Sequence, residues 1–75
     1  MSEADRIRWQ CRRGLLELDL VLAKFLDRHL DNLSSGSLTA FKRLLDYPDH
    51  DLWDLVNGKM TPPDAELALV IKLFD

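Results

Sequence analysis

From Leu15 onward the chain returns to one stripe every three or four residues for about five turns, through Leu15, Leu18, Leu22, Phe25, Leu26, His29 and Leu33. That period places the side chains along one face of a helix, whereas a half-buried strand would alternate every second residue. Leu16, Leu20, Ala23 and Leu30 widen the stripe, so this helix is expected to be the most buried of the chain.

The segments around it read the same way. Ala4, Ile7 and Cys11 stand at helical spacing with arginines between them, Ser2 is placed to cap, and Glu3 and Asp5 fall in the first turn, where carboxylates favour the positive helix end. Gly14 interrupts this first helix. Asn32 to Ser37 forms a turn cluster in which Ser34 caps a third helix and Leu33 and Leu38 sit at the staple positions. Leu38, Phe41, Leu44 and Leu45 then face inward until Tyr47-Pro48 stops the helix, because proline pushes the preceding residue out of the helical region. Asp49 is expected to cap a fourth helix, with Leu52, Trp53, Leu55 and Val56 as its inner face and Asn57-Gly58 as its end. Thr61-Pro62, with Asp64 in the first turn, predicts the start of a last helix whose face is Leu67, Val70, Ile71 and Phe74. β-Branched residues are few and nothing alternates, so the expected fold is all-α: a compact bundle of about five short helices, residues 1–75 forming a single domain.

Such a short chain needs dense apolar packing or a covalent or metal staple. Hydrophobic residues make up 47% of its 75 residues, and the single cysteine, Cys11, cannot form an internal disulfide. Cys11, His29 and His50 lie on three different predicted helices or their starts and match no ligand spacing, so no metal site is expected. Cys11, in register with Ile7, reads as a small core residue. Asp49, Asp51 and Asp54 lack the longer glycine-containing loop of a calcium site, and serve more simply as a cap and first-turn acids. With no glycine-rich nucleophile turn or phosphate loop, and little volume for a water-excluding pocket, an enzyme is not expected.

No apolar run approaches the roughly 20 residues of a membrane span, and the first residues lack a signal-peptide core, so a soluble protein of the cytoplasm, without membrane insertion, is expected. The net charge is −3, with six basic and five acidic residues in 1–30 against four and eight in 31–75. Arg6, Arg8, Arg12 and Arg13, with Trp9, form the only basic cluster; four arginines on an acidic chain without a later basic helix do not predict nucleic-acid binding. Arginine is also enriched in protein interfaces, and Trp9, lying off the Ile7/Cys11 face, fits an interface anchor.

The segment Arg12-Arg13-Gly14-Leu15-Leu16-Glu17-Leu18-Asp19 carries the most information, because glycine inside a helical pattern costs about 1 kcal/mol relative to alanine. In one account Gly14 is a helix-helix corner with positive φ, and Arg13 and Glu17 form a weak surface pair four residues apart. In the other, the missing side chain lets a partner's backbone approach while exposed Arg13 and Glu17 supply charge-assisted hydrogen bonds. Spacing alone does not separate the two. Burial of Arg13 and Glu17 in an internal ion pair would favour the first.

The run Arg13-Gly14-Leu15-Leu16-Glu17 matches an RGxxE motif, and its flanks extend the match: Ile7-x-Trp9-x-Cys11-Arg12, Glu17-Leu18-Asp19, Leu33-Ser34, Arg43-Leu44-Leu45, Asp49-x-Asp51-Leu52-Trp53 and Gly58…Pro63-x-Ala65-Glu66-Leu67. Over nearly its whole length the chain resembles the FAD assembly factors of succinate dehydrogenase, the small bacterial and mitochondrial flavinylation factors. The resemblance implies a five-helix domain without catalytic chemistry that binds the flavoprotein subunit of succinate dehydrogenase and, in some bacteria, of fumarate reductase. It implies promotion of covalent FAD attachment to a histidine of that subunit, FAD being the client's cofactor and none being stably bound by the factor. The free chain is expected to be a monomer. Carried onto this sequence, the motif residues are Arg13, Gly14 and Glu17, with Arg12, Arg8 and Asp19 as neighbours on the same surface. Asp49, Asp51 and Trp53 follow in second rank, although the spacing of Trp53 with Leu52 and Val56 suits a core position equally well. A generic helical protein-interaction domain is the alternative, and a nucleic-acid binder the third possibility.

Overall fold

The computed structural model describes residues 2–74. Its helices are α1 (Glu3–Gln10), α2 (Leu16–His29), α3 (Ser35–Leu45), α4 (Asp49–Val56) and α5 (Ala65–Lys72), and α2 runs on into a 3-10 turn at Leu30–Asn32. Among the described residues there is no strand, as the helical periodicity required. No helix in this region is long and apolar enough to cross a membrane.

Each helix boundary has a chemical cause. Ser2 Oγ accepts the Asp5 amide at 3.1 Å while the Asp5 carboxylate accepts the Ser2 amide at 3.4 Å, a reciprocal capping box that satisfies two free donors of α1. Ser34 caps α3 through the Ser37 amide at 3.1 Å. Two expected starts are corrected. Asp49 does not cap α4: the capping position is Pro48, which offers no side-chain acceptor, and Asp49 is the first helical residue. The last helix starts later than Thr61-Pro62 suggested. Pro63 biases Pro62 toward extended backbone, so the cap is Asp64 itself, whose carboxylate accepts the Leu67 amide at 3.0 Å. At the end of α4, Gly58 takes φ +79°, and Lys59 N–H reaches the Asp54 carbonyl at 2.9 Å while Gly58 N–H reaches that of Leu55 at 3.3 Å. This Schellman closure needs a left-handed residue, which glycine supplies without a Cβ penalty.

The core runs through every helix: Ile7 and Cys11 from the first, Leu18, Leu22, Phe25 and Leu26 from α2, Ala40, Phe41, Leu44 and Leu45 from α3, Leu52 and Leu55 from α4, Leu67 and Val70 from α5. Phe25 stacks on Phe41 at 4.7 Å and on Phe74 at 4.4 Å between ring centroids, joining α2, α3 and the chain beyond α5. α3 packs chiefly on α5, and Arg43 Nη2 holds the Asp64 carboxylate at 2.6 Å across that contact. Lys42 Nζ holds Glu3 at 2.6 Å, drawing the start of α1 onto α3. With α1 and α3 so fixed, the α1–α2 connection, residues 11–15, lies against the turn between α3 and α4.

Candidate functional site

The α1–α2 connection holds the segment singled out in the sequence. Cys11 is buried beneath it, and burial pushes its thiol up to about 11, so at neutral pH the group is a protonated core side chain and a poor nucleophile. After it the chain turns sharply. Gly14 has φ +82°, and nothing lies within 4 Å of the place a Cβ would occupy. The glycine is therefore required by backbone conformation, not by crowding inside the molecule, and the space beside it opens outward.

Asp19, one turn into α2, shapes this corner. Its Oδ1 accepts the Arg13 amide at 2.7 Å and its Oδ2 the Gly14 amide at 3.2 Å. Leu15, at the capping position of α2, contributes no side-chain bond. The carboxylate of Asp19 thus ties the two backbone amides ahead of α2 back onto its first turns, while the helix's own first amides have no side-chain cap.

Arg13 departs from expectation. Its side chain is only 17% exposed and folds back under the corner, with Nε 3.6 Å from Asp49 Oδ1. Nη2 donates to the Leu45 carbonyl at 2.5 Å and the Tyr47 carbonyl at 3.2 Å. Carbonyls at the end of α3 lack helical partners and carry partial negative charge, and a guanidinium answers both needs. The expected exposure of Arg13 is overturned, and so is its pairing with Glu17. Among the described residues Glu17 has no ion-pair or hydrogen-bond partner, and it is exposed in the first turn of α2. The internal partner of Arg13 is Asp49, the first residue of α4.

The remaining site residues divide by place. Arg12 is exposed beside the corner, and Arg8 is exposed on α1 with Asp27 of α2 at 3.9 Å, a pair too solvated to fix either side chain. Trp9 is 67% exposed, as an interface anchor requires. Trp53 is half-buried against the core and also lines an open groove with Leu15, Leu16, Glu17 and Leu18. Asp51 lies in the first turn of α4, two residues after Asp49 and 3.7 Å from His50 Nδ1. No group of carboxylates, histidines and cysteine among the described residues is arranged to hold a metal ion.

Sequence periodicity misassigned part of the α2 stripe. Leu15, Leu16 and Leu20, counted with the core face, are exposed. With Trp9 they are four of the six large apolar side chains exposed among the described residues, and all four lie within residues 9–20, on either side of Gly14 in the sequence. Two open grooves flank the corner. One is that of Trp53; the other, of about 400 Å³, runs between α1 and α2 past Arg8, Arg12 and Leu20. Clustered apolar side chains rimmed by charge mark an interaction surface, whereas singly scattered ones do not.

Fold and site define a small helical scaffold whose distinctive surface is an anchored, glycine-centred corner. The chain belongs to the family described as flavinator of succinate dehydrogenase, whose model matches residues 5–75. It is 40% identical over 69 residues to the FAD assembly factor SdhE of Coxiella burnetii, covering 92% of this chain and 84% of the relative. To the factors of the same name from Legionella pneumophila and Methylococcus capsulatus it is 43% identical over 68 residues, covering 91% of this chain and 86% and 82% of theirs. No solved structure matches the chain at comparable significance.

Proposed function

We propose that the protein is an assembly chaperone, not an enzyme, which binds the flavoprotein subunit of succinate dehydrogenase and promotes covalent attachment of FAD to a histidine of that subunit. FAD remains the client's cofactor, and the factor acts in the cytoplasm as a monomer when free. The docking surface is the corner: Gly14 admits the client's backbone, Glu17 and Arg12 supply directional polar contacts, and Trp9, Leu15, Leu16 and Leu20 supply apolar area, with Arg8 and Asp51 at the rim. The observation that carries this reading is the left-handed Gly14, open to solvent, in a segment, residues 9–20, that exposes four large apolar side chains. Acting through binding alone, the factor must hold the attachment-competent conformer of its client more tightly than the others, each 1.4 kcal/mol of difference shifting that population about tenfold.

Deleting the gene and measuring in-gel flavin fluorescence of the flavoprotein tests the proposal, and loss of covalent flavin is expected. Complementation with Gly14→Arg should give a folded protein that does not restore the signal. Unchanged covalent flavin in the deletion strain, with no second factor present, would sink the reading. The flavoprotein of fumarate reductase, probed in the same gels, shows whether it is a client as well.

A further inference from the structure

The RGxxE signature invites the view that its charged residues act alike, both touching the client. The geometry divides them. Glu17 points to solvent without an internal partner, whereas Arg13 is committed inward to two backbone carbonyls and to Asp49. Its Nε is buried and makes no hydrogen bond, so the Asp49 carboxylate 3.6 Å away is the charge that compensates it. The Arg13 amide, at the other end of the same residue, is held by Asp19 at 2.7 Å. Arg13 is thereby gripped at both ends, and the next residue is the left-handed Gly14.

We propose that Arg13 and Asp49 are positioning residues that lock the Gly14 corner in its docking conformation, leaving the Gly14 backbone and Glu17 to meet the client. The proposal rests on the docking surface argued above. A chain turning through a glycine has many conformations to lose on binding, and fixing one of them beforehand raises the competent fraction and the apparent affinity with it. Asp49 stands 36 residues from Arg13 in the sequence and acts on the corner only through its guanidinium.

The test uses the full-length protein and purified flavoprotein subunit, with titration calorimetry for affinity and amide NMR of the free factor. Asp49→Asn preserves shape and removes the charge; Arg13→Lys preserves charge and removes the fork that reaches two carbonyls at once. We expect Asp49→Asn to weaken binding about threefold and Arg13→Lys about tenfold, from the strengths of partly exposed and charge-assisted contacts. Both should shift the Arg13 and Gly14 amide resonances of the free factor and speed their hydrogen exchange. The double variant should weaken binding by less than the product of the two single effects, because Asp49 acts through the side chain of Arg13. If both variants keep native Gly14 resonances and exchange while weakening binding additively, the two residues touch the client and the proposal is overturned. Native affinity in both variants overturns it too, and if Glu17→Arg abolishes binding in that same series, the docking reading stands without it. Native affinity in Glu17→Arg removes the docking reading itself, and the positioning role with it.

Discussion

Gly14 combines two demands that one residue type meets. Its backbone is left-handed, where an L side chain costs about 1–2 kcal/mol, and its missing Cβ faces open space. Substitutions should therefore rank by tolerance of that backbone and not by size. In urea unfolding, Gly14→Asn is expected to cost about 0.5 kcal/mol or less and Gly14→Val about 1–2 kcal/mol, because asparagine visits the left-handed region and β-branched residues almost never do. Equal costs would mean that the corner is not left-handed in solution. The presence of a corner at Gly14 was legible, since glycine breaks a helical pattern at a definite cost. The inward turn of Arg13 was not, because its acceptors are carbonyls 32 and 34 residues away and a local pattern carries no information about them.

At the scale of the helix, the ends are set by side chains that serve two neighbours. Asp64 caps α5 and binds Arg43 of α3, and the Arg43 hydrogen bond, followed by the Leu67 amide, holds its carboxyl below the usual 3.8. Glu3, hydrogen-bonded to Lys42, likewise titrates below its ordinary 4.5. A carboxyl depressed in the folded state contributes stability above its unfolded pKa, and loses that contribution as pH falls through the folded value. The thermal midpoint is thus expected to stay level from about pH 7 to about pH 5 and to fall below about pH 4, with a shallower acid limb in Asp64→Asn. An unaltered limb in that variant would show that the Arg43 pair is not formed. Solvent-exposed pairs of this kind also weaken with added salt. Helix faces were readable from apolar spacing, and so were the caps Ser2 and Ser34, but those of α4 and α5 were read one and three residues away from their true places. At both α4 and α5 prolines stand beside the boundary, and several nearby residues qualify as acceptors.

For the whole molecule, the radius of gyration of 11.3 Å matches the value of about 11 Å for a packed chain of 75 residues. So tight a core leaves the exposed leucines of α2 without an internal purpose. Leu18 and Leu22, at 1% and 0% exposure, belong to the core, where truncation to alanine costs about 2–5 kcal/mol. Leu16 and Leu20, at 74% and 61%, should tolerate serine with a change in stability of about 0.5 kcal/mol or less. Calorimetry with the flavoprotein should show each serine variant losing about fivefold or more in affinity, as for an anchor in an interface. Full affinity in both would remove the apolar flank from the docking surface. The sequence merged these leucines with the core stripe because burial against a partner and burial within the chain leave the same apolar signature at the same helical spacing.

The Arg13 strap also makes the signature a property of the finished fold and not of its segment. On the ribosome the five motif residues emerge early, yet the carbonyls of Leu45 and Tyr47 and the carboxylate of Asp49 that seat the guanidinium are joined to the chain some thirty residues later. A synthetic peptide of residues 2–29 would hold every letter of the motif and none of its distant anchors, and would be a poor mimic of the factor. On the docking mode proposed above, a nascent or nicked chain does not recognise its client until its second half has been made and packed.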